Sequence, residues 1–186
     1  ALSNGQIIKN KPHAKYFDKQ INNLKSRRDK CKKGSSKSRY LNRVIQRLYS
    51  AKNNKINDFQ HKVSRNLSNN YNTIMVEDLN LKQMSEGKIT GLNRELRNSK
   101  IASFVDKLAY KTNKIIKVNP KNTSKTCSNC GNMQNMPLYK REYKCDCGFI
   151  CDRDVNAAIN IHCLGQAILD GVCTVKSNIQ EAPCFS

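Results

Sequence analysis

Apolar residues in the first third of the chain recur at helical spacing on both sides of a polar loop. Phe17, Ile21 and Leu24 fall three or four positions apart before the loop KKGSSKS. The spacing resumes after the loop in a second set: Leu41, Val44, Leu48, Ile56, Phe59, Val63 and Leu67. The pattern predicts a helical hairpin over residues 13–71 with one apolar stripe.

From residue 73 onward the pattern changes to short apolar runs separated by a helical one. Residues 73–76 and 115–118 are β-branched, apolar runs typical of buried strands. Between them, residues 96–109 show the spacing of an amphipathic helix. The order strand, helix, strand predicts an α/β core, with a right-handed crossover if the strands are parallel.

Acidic residues stand at the end of the first strand and at the start of a later helix. Glu77 and Asp78 follow the strand. A buried carboxylate is costly unless a cation lies beside it, which would indicate a metal site or an ion pair. A strand end that reaches solvent is the alternative explanation for both acids. The sequence of residues 154–169 predicts a helix. An ordinary capping role at the positive end of its dipole would explain why an acid stands at Asp152 or Asp154. Residues 170–186 are expected to form a disordered tail.

Positive charge is concentrated in the predicted hairpin. The chain has 186 residues and a formal charge of +20, and residues 1–72 hold 18 Lys and Arg against three acids. This excess favours a polyanionic partner, above all nucleic acid, although a solvated charged face over an ordinary apolar stripe also fits. The candidate nucleic-acid-binding residues are Lys25, Arg27, Arg28, Lys32, Lys33, Arg39, Arg43 and Arg47.

No apolar run approaches the roughly 18 residues of a membrane-spanning helix, so a membrane partner is not expected. Nine cysteines are an odd number for a disulfide scaffold, and four of them have metal-ligand spacing. We therefore expect a reducing, cytoplasmic location, associated with the nucleoid.

The four cysteines form two close pairs that can wrap one tetrahedral Zn²⁺ ion. They are Cys127, Cys130, Cys145 and Cys147. Gly131 and Gly148 follow the two pairs and suit tight turns whose N–H groups point at the thiolates. The second pair is one residue short of the usual CxxC, and Cys151 stands nearby as a substitute ligand. We predict one structural zinc ion; a redox or disulfide role is the alternative.

Three segments together resemble the TnpB (OrfB) proteins of bacterial insertion sequences. They are HKVSRNLSNNYNTIMVEDLNLKQM, NPKNTSKTCSNCG and YKCDCGFICDRDVNAAINI, which occur in the family's order over about residues 1–165. The resemblance implies an RNA-guided DNA nuclease with guide RNA and DNA as partners. It also implies an RNase H-like (RuvC) core over residues 1–121 and 152–169, into which a zinc ribbon at residues 122–151 and the basic hairpin are inserted.

The same resemblance implies the catalytic residues. VEDLN matches the family's second motif and gives Glu77 a metal-binding role, and DRDVNAA matches the third and assigns Asp154 rather than Asp152. Two Mg²⁺ ions held by carboxylates would hydrolyse the phosphodiester in the complete enzyme.

The family's first motif, an aspartate in a GxDxG strand, is expected upstream of Ala1, so the chain is interpreted as a fragment truncated at its amino terminus. Two hypotheses follow. The chain is either the carboxyl-terminal part of a functional endonuclease or a catalytically dead remnant that binds nucleic acid through its zinc ribbon.

Overall fold

The computed structural model describes residues 1–9, 13–79, 100–137, 139–174 and 179, and side chains from residue 15 onward in the first helix. Its elements, in chain order, are α1 (His13–Asp29), α2 (Ser36–Asn70), β1 (Thr73–Glu77), α3 (Ile101–Ala109), β2 (Lys114–Val118), β3 (Glu142–Lys144), β4 (Ile150–Asp152) and α4 (Arg153–Leu169). They form two compact units. One holds α1, α2 and α3, and the other holds the four strands and α4.

The helical unit is built on the contact between α1 and α2. Gly34 turns the loop between them with a φ of 79°, and the Ser35 hydroxyl accepts a hydrogen bond from the Ser38 N–H at 3.2 Å, which caps α2. The buried apolar side chains of the pair are Ile21, Leu41, Ile45, Ile56 and Leu67. Ile45 was not in the predicted stripe; the helix turns it inward and leaves Val44 half-buried.

An ion pair lies within this helical contact. The Lys52 ammonium is 2.6 Å from the Asp18 carboxylate, and the Lys52 side chain is almost fully buried. A buried ammonium needs a paired charge or several polar acceptors, and this ion pair supplies the charge, so it ties α1 and α2 together.

Helix α3 packs on α2, not where the sequence placed it. The prediction put residues 96–109 in an α/β core with the strands; residues 96–99 lie outside the described residues, and Ile101–Ala109 contacts α2. The buried Lys107 explains the difference, because its ammonium needs polar acceptors. It donates to Gln60 Oε1 on α2 at 3.0 Å, while Gln60 Nε2 donates to the Lys100 carbonyl.

The other unit contains a parallel pair of strands covered by a helix, so the chain is of mixed helix and strand type, as predicted. β1 and β2 run parallel, with Thr73 opposite Lys114 and Glu77 opposite Val118. Helix α4 packs on both strands. The core between them contains Ile116, Val118, Leu164, Ala167 and Ile179. Ile179 belongs to the stretch predicted as a disordered tail, yet its apolar side chain is fully buried; most of that stretch lies outside the described residues.

Close approach of α4 to β1 depends on Gly165. A Cβ atom at this position would lie 2.2 Å from Cγ of Met75, far inside van der Waals contact. Two other small residues of α4, Ala157 and Ala158, are only half-buried and do not make this close contact.

A small antiparallel hairpin leads directly into α4. β3 pairs with β4, with Tyr143 opposite Cys151, and β4 ends at Asp152, the residue before the helix. Tyr143 is fully buried beside Cys127 and Met136, and its hydroxyl donates to the Lys125 carbonyl at 2.9 Å. Within the described ranges, the structure contains no helix that combines the length and the apolar character needed to cross a bilayer.

Candidate metal centre and carboxylate site

Four cysteine sulfur atoms meet at one point beside the β3–β4 hairpin. The Sγ atoms of Cys127, Cys130, Cys145 and Cys147 all lie within 4.8 Å of one another, and they are the cluster of metal-ligand type found in the described part of the chain. Cys127 and Cys147 are 3.8 Å apart, and Cys130 and Cys145 are 3.6 Å apart. A tetrahedron with Zn–S bonds of about 2.3 Å has edges of about 3.8 Å. The four thiols are therefore close enough to hold one metal ion after small side-chain shifts.

Two tight turns position these thiols. Gly131 and Gly148 have φ values of 74° and 87°, and their N–H groups donate to the carbonyls of Cys127 and Cys145. The left-handed conformation is open to glycine at little cost, as the sequence predicted. The second turn closes although it is one residue shorter than the first.

Backbone N–H groups and burial shift the pKa values of the cysteines in opposite directions. The N–H of Phe149 lowers the pKa of Cys147 to about 6, because a hydrogen bond to sulfur favours the thiolate. Burial raises the pKa of Cys127 to about 12, because desolvation disfavours the charged form. A cation at the centre of the four sulfurs is what would make a buried Cys127 thiolate favourable.

Cys151 lies outside the sulfur cluster. Its thiol donates to the Asp152 carbonyl at 3.3 Å, and burial raises its pKa. The predicted role of substitute ligand therefore does not match its position, because pairing with Tyr143 in the β3–β4 hairpin fixes its backbone in the ladder.

Two buried asparagines of α4 hold the loop that carries the first cysteine pair. Asn156 Nδ2 donates to the Thr126 carbonyl at 2.8 Å, and its Oδ1 accepts from the Ser128 N–H at 3.0 Å. One turn later, Asn160 Nδ2 donates to the carbonyls of Thr123 and Thr126. Sequence reasoning missed this role. Two asparagines four residues apart on one face of a predicted helix were the signal, because buried amides need partners.

Glu77 ends β1 and is half-buried, with one identified donor. The Thr123 hydroxyl, on a residue only 2% exposed, donates to Glu77 Oε1 at 2.8 Å. Since Asn160 holds the Thr123 carbonyl, hydrogen bonds link α4 to the Glu77 carboxylate through this loop. Asp78 faces solvent instead and pairs loosely with Lys117 at 3.7 Å.

The start of α4 gives its two acids different roles. Asp152 is the helix cap, because its Oδ1 accepts from the N–H groups of Asp154 and Val155. The Asp154 side chain is 65% exposed and has a long ion pair with Arg141 at 4.0 Å. The capping interpretation therefore holds for Asp152, and the Asp154 carboxylate remains accessible.

Helix α4 runs antiparallel to β1, since Gly165 meets Met75 while Asn160 reaches Thr123 beside Glu77. Asp154 lies six residues before Asn160, which is about 9 Å along the helix axis. Glu77 and Asp154 thus belong to the same unit and the same end of the helix–sheet contact.

The candidate nucleic-acid-binding residues lie on α1, α2 and the loop between them. Six of the eight are exposed: Arg27, Lys32, Lys33, Arg39, Arg43 and Arg47. The other two are half-buried. Lys25 stacks its ammonium 5.4 Å from the Tyr49 ring centre, and Arg28 donates to Asp29 and Asn42.

Arg43 and Arg47 stand one turn apart on α2 and line an open groove that also contains Ser50 and Asn54. Cations at this spacing on an exposed helix face suit phosphate contacts.

Two family models match the chain. The model of a probable transposase (OrfB) matches residues 1–88, and the model of a Cas12f1-like TNB domain matches residues 102–161. The second match contains the whole cysteine cluster and the asparagines of α4.

Similar proteins carry related names. A putative RNA-guided DNA endonuclease of Streptomyces pristinaespiralis is 31% identical over 89% of this chain and 42% of its own length. The TnpB-like protein L79 of Acanthamoeba polyphaga mimivirus is 33% identical over 84% of this chain and 28% of its own. The chain thus spans less than half the length of these two relatives.

A solved structure, the cryo-EM structure of the Cas12f1–sgRNA–target DNA complex, resembles this one with a TM-score of 0.56 and 26% sequence identity, covering 81% of this chain and 41% of that chain. Both family models, the relatives and this structure agree with the motifs in the sequence. The chain is therefore similar to the TnpB (OrfB) family in both of the segments that the two family models match.

Proposed function

We propose that this chain is the carboxyl-terminal part of a transposon-associated RNA-guided DNA endonuclease with an RNase H-like (RuvC) core. The observation that carries the proposal is the buried Thr123 hydroxyl on the Glu77 carboxylate, held by the same helix that presents Asp154. Relatives named as RNA-guided DNA endonucleases support it.

Glu77 and Asp154 are the residues that would hold Mg²⁺. Carboxylate oxygens are the ligands that Mg²⁺ prefers, and a pair of such ions supplies an activated water and stabilises the leaving oxygen during phosphodiester hydrolysis. The contribution of the chain is orientation. The Thr123 hydroxyl orients one Glu77 oxygen, and no described residue donates to the other. Asp152 caps the helix, so Asp154 does not have to.

Zinc is the metal that best fits the cysteine cluster, because four thiolates in a closed tetrahedral set are typical of structural zinc sites. Its proposed role is to staple the loop that Asn156 and Asn160 bind. The ribbon would thereby fix the start of α4 and the Thr123 loop.

Metal binding by the carboxylates is the direct test. Titration calorimetry with Mn²⁺, a stand-in for Mg²⁺, should show binding that weakens at least about tenfold in Glu77→Gln and in Asp154→Asn, because each removes a charged ligand. Asp78→Asn is the matched control, since Asp78 is the adjacent exposed acid. Equal loss in the control, or no loss in Glu77→Gln, would reject the assignment.

A second function, nucleic-acid binding without cleavage, is favoured for the isolated polypeptide. The chain contains two of the three carboxylates that the family uses, and loss of one catalytic group costs several kcal/mol of transition-state stabilisation. A Mg²⁺-dependent nicking assay on the 186-residue chain should show no activity that depends on Glu77. Cutting that disappears in Glu77→Ala would establish the endonuclease function in this chain alone.

DNA and guide RNA are the proposed partners of the basic hairpin. The double variant Arg43→Gln/Arg47→Gln should weaken binding to both and lower the slope of log K against log salt by about one to two, since two phosphate contacts are lost. Lys15→Gln/Lys19→Gln, two exposed cations on α1 outside the proposed set, is the control. The same change in slope in both double variants would mean that only net charge matters.

A further inference from the structure

An open pocket lies on the helical unit where the last turns of α2 meet the end of α3. Its lining is cationic, amide or aromatic and includes His61, Lys62, Arg65, Asn66, Tyr110 and Lys111. Among the described residues, no acidic side chain lines this pocket. The neighbouring acid, Asp58, is already paired with Lys62 at 2.8 Å.

Lys111 is fixed in this pocket by neutral groups. Its ammonium donates to the Ser64 hydroxyl at 2.7 Å and to the His61 carbonyl at 3.0 Å. Burial lowers the pKa of Lys111, and the positive charges of Arg65 and Lys107 lower it further. The potential here is therefore positive, which suits an anion such as a phosphate.

Tyr110 places an exposed aromatic ring at the edge of the same pocket. The residue is 65% exposed, its hydroxyl lies 3.5 Å from His61 Nδ1, and the Lys111 ammonium is 5.7 Å from the ring centre. The ring is thus held at its hydroxyl end, while most of its surface faces solvent. An exposed aromatic face among cations is the arrangement on which single-stranded nucleic acids stack their bases.

We propose that this pocket binds an unpaired nucleotide of a single-stranded nucleic acid, with its base stacked on Tyr110 and its phosphate held by Arg65. A duplex does not fit this role, because its bases are already stacked and paired. None of the residues that line this pocket is among the eight candidate nucleic-acid-binding residues predicted from the sequence. The inference rests on the proposed nucleic-acid partner and names the form of that partner.

The absence of tryptophan from the sequence allows a selective test. In Tyr110→Trp the new indole is the single tryptophan, and stacking on a base should quench its fluorescence. We expect quenching by a single strand of about 10 nucleotides, within the usual site size, and little change with a duplex of the same sequence. Tyr16→Trp is the matched control, because Tyr16 is 63% exposed on α1 of the same unit.

Affinity measured by fluorescence anisotropy gives an independent readout. Tyr110→Ala should raise the Kd for the single strand about 5- to 150-fold, the loss expected for one stacked base, and change the duplex Kd less than about twofold. Tyr110→Phe keeps the ring and should bind like the wild type. Arg65→Gln should lower the salt slope for the single strand by about 0.7.

The outcomes separate this inference from the proposed function. If Tyr110→Ala binds single strands as tightly as the wild type does, the stacking site is wrong and the nucleic-acid partner stands. Quenching of Tyr110→Trp by the duplex as strongly as by the single strand would also overturn it. A wild-type chain that binds no single strand at low salt would overturn both.

Discussion

The candidate site depends on single hydroxyl and amide groups. Thr123 and Thr126 lie in one loop and are both almost fully buried, but within the described part of the chain only the Thr123 hydroxyl has a hydrogen-bond partner. Thr123 donates to Glu77, whereas Thr126 Oγ1 has no hydrogen-bond partner among the described residues. The same substitution, threonine to valine, should therefore change the free energy of unfolding differently at these two positions.

Thr123→Val keeps the side-chain shape and removes the donor to Glu77. We expect a loss of about 1 kcal/mol in the free energy of unfolding and weaker Mn²⁺ binding, because the carboxylate loses its orientation. Thr126→Val removes an unsatisfied hydroxyl and should be neutral or stabilising. Urea unfolding and calorimetry measure both effects. Equal losses in the two variants would show that the Glu77 contact has no special value.

Helix α4 packs on the strands, binds the loop that carries the first cysteine pair and presents Asp154. Its close contact with β1 depends on Gly165, where a Cβ would meet Met75 at 2.2 Å. In a free helix, alanine is more stable than glycine by about 1 kcal/mol. The packing contact reverses this preference here.

Gly165→Ala should therefore destabilise the protein by about 1–3 kcal/mol, since the helix must shift away from the strand or Met75 must repack. Denaturant unfolding gives the magnitude. In a Met75→Ala background, which makes room for the new methyl group, Gly165→Ala should cost less than it does in the wild type. A stabilised single variant would show that α4 does not pack as described.

Helices, strands and turns were predictable from the sequence where the local pattern of residues is enough to specify them. The strands at residues 73–77 and 114–118, the helix ending at Leu169 and the glycine turns follow from local apolar patterns and from glycine chemistry. The partner of α3 did not follow, because it is chosen by the buried Lys107 and its distant acceptor Gln60. Thr123, Asn156 and Asn160 were missed for the same reason: their roles are contacts across the fold, which local patterns do not encode.

At the scale of the molecule, the metal centre and the basic helices belong to different units. The cysteine cluster, the asparagine contacts and Glu77 share one unit. Removal of the metal should therefore disturb the carboxylate site and leave the helical unit folded.

Metal analysis tests this division. The purified chain should contain about one zinc ion, and Cys127→Ser should lower that content, while Cys151→Ser should not, because Cys151 lies outside the cluster. A chelator should expose the four cysteines to alkylation and retain most of the helical circular dichroism, since α1 and α2 are in the other unit. Folded protein without metal, or loss of zinc in Cys151→Ser, would contradict a zinc site formed by these four cysteines.

Glu77 and Asp154 are proposed to form one metal-binding site beside the loop that carries Cys127 and Cys130. The most direct measurement is anomalous diffraction from crystals soaked in Mn²⁺. We predict carboxylates within about 8 Å of each other, with a Mn²⁺ peak in contact with both, as a two-metal nuclease site requires. A wide separation of the two carboxylates, or Mn²⁺ bound elsewhere, would show that they do not share a metal site.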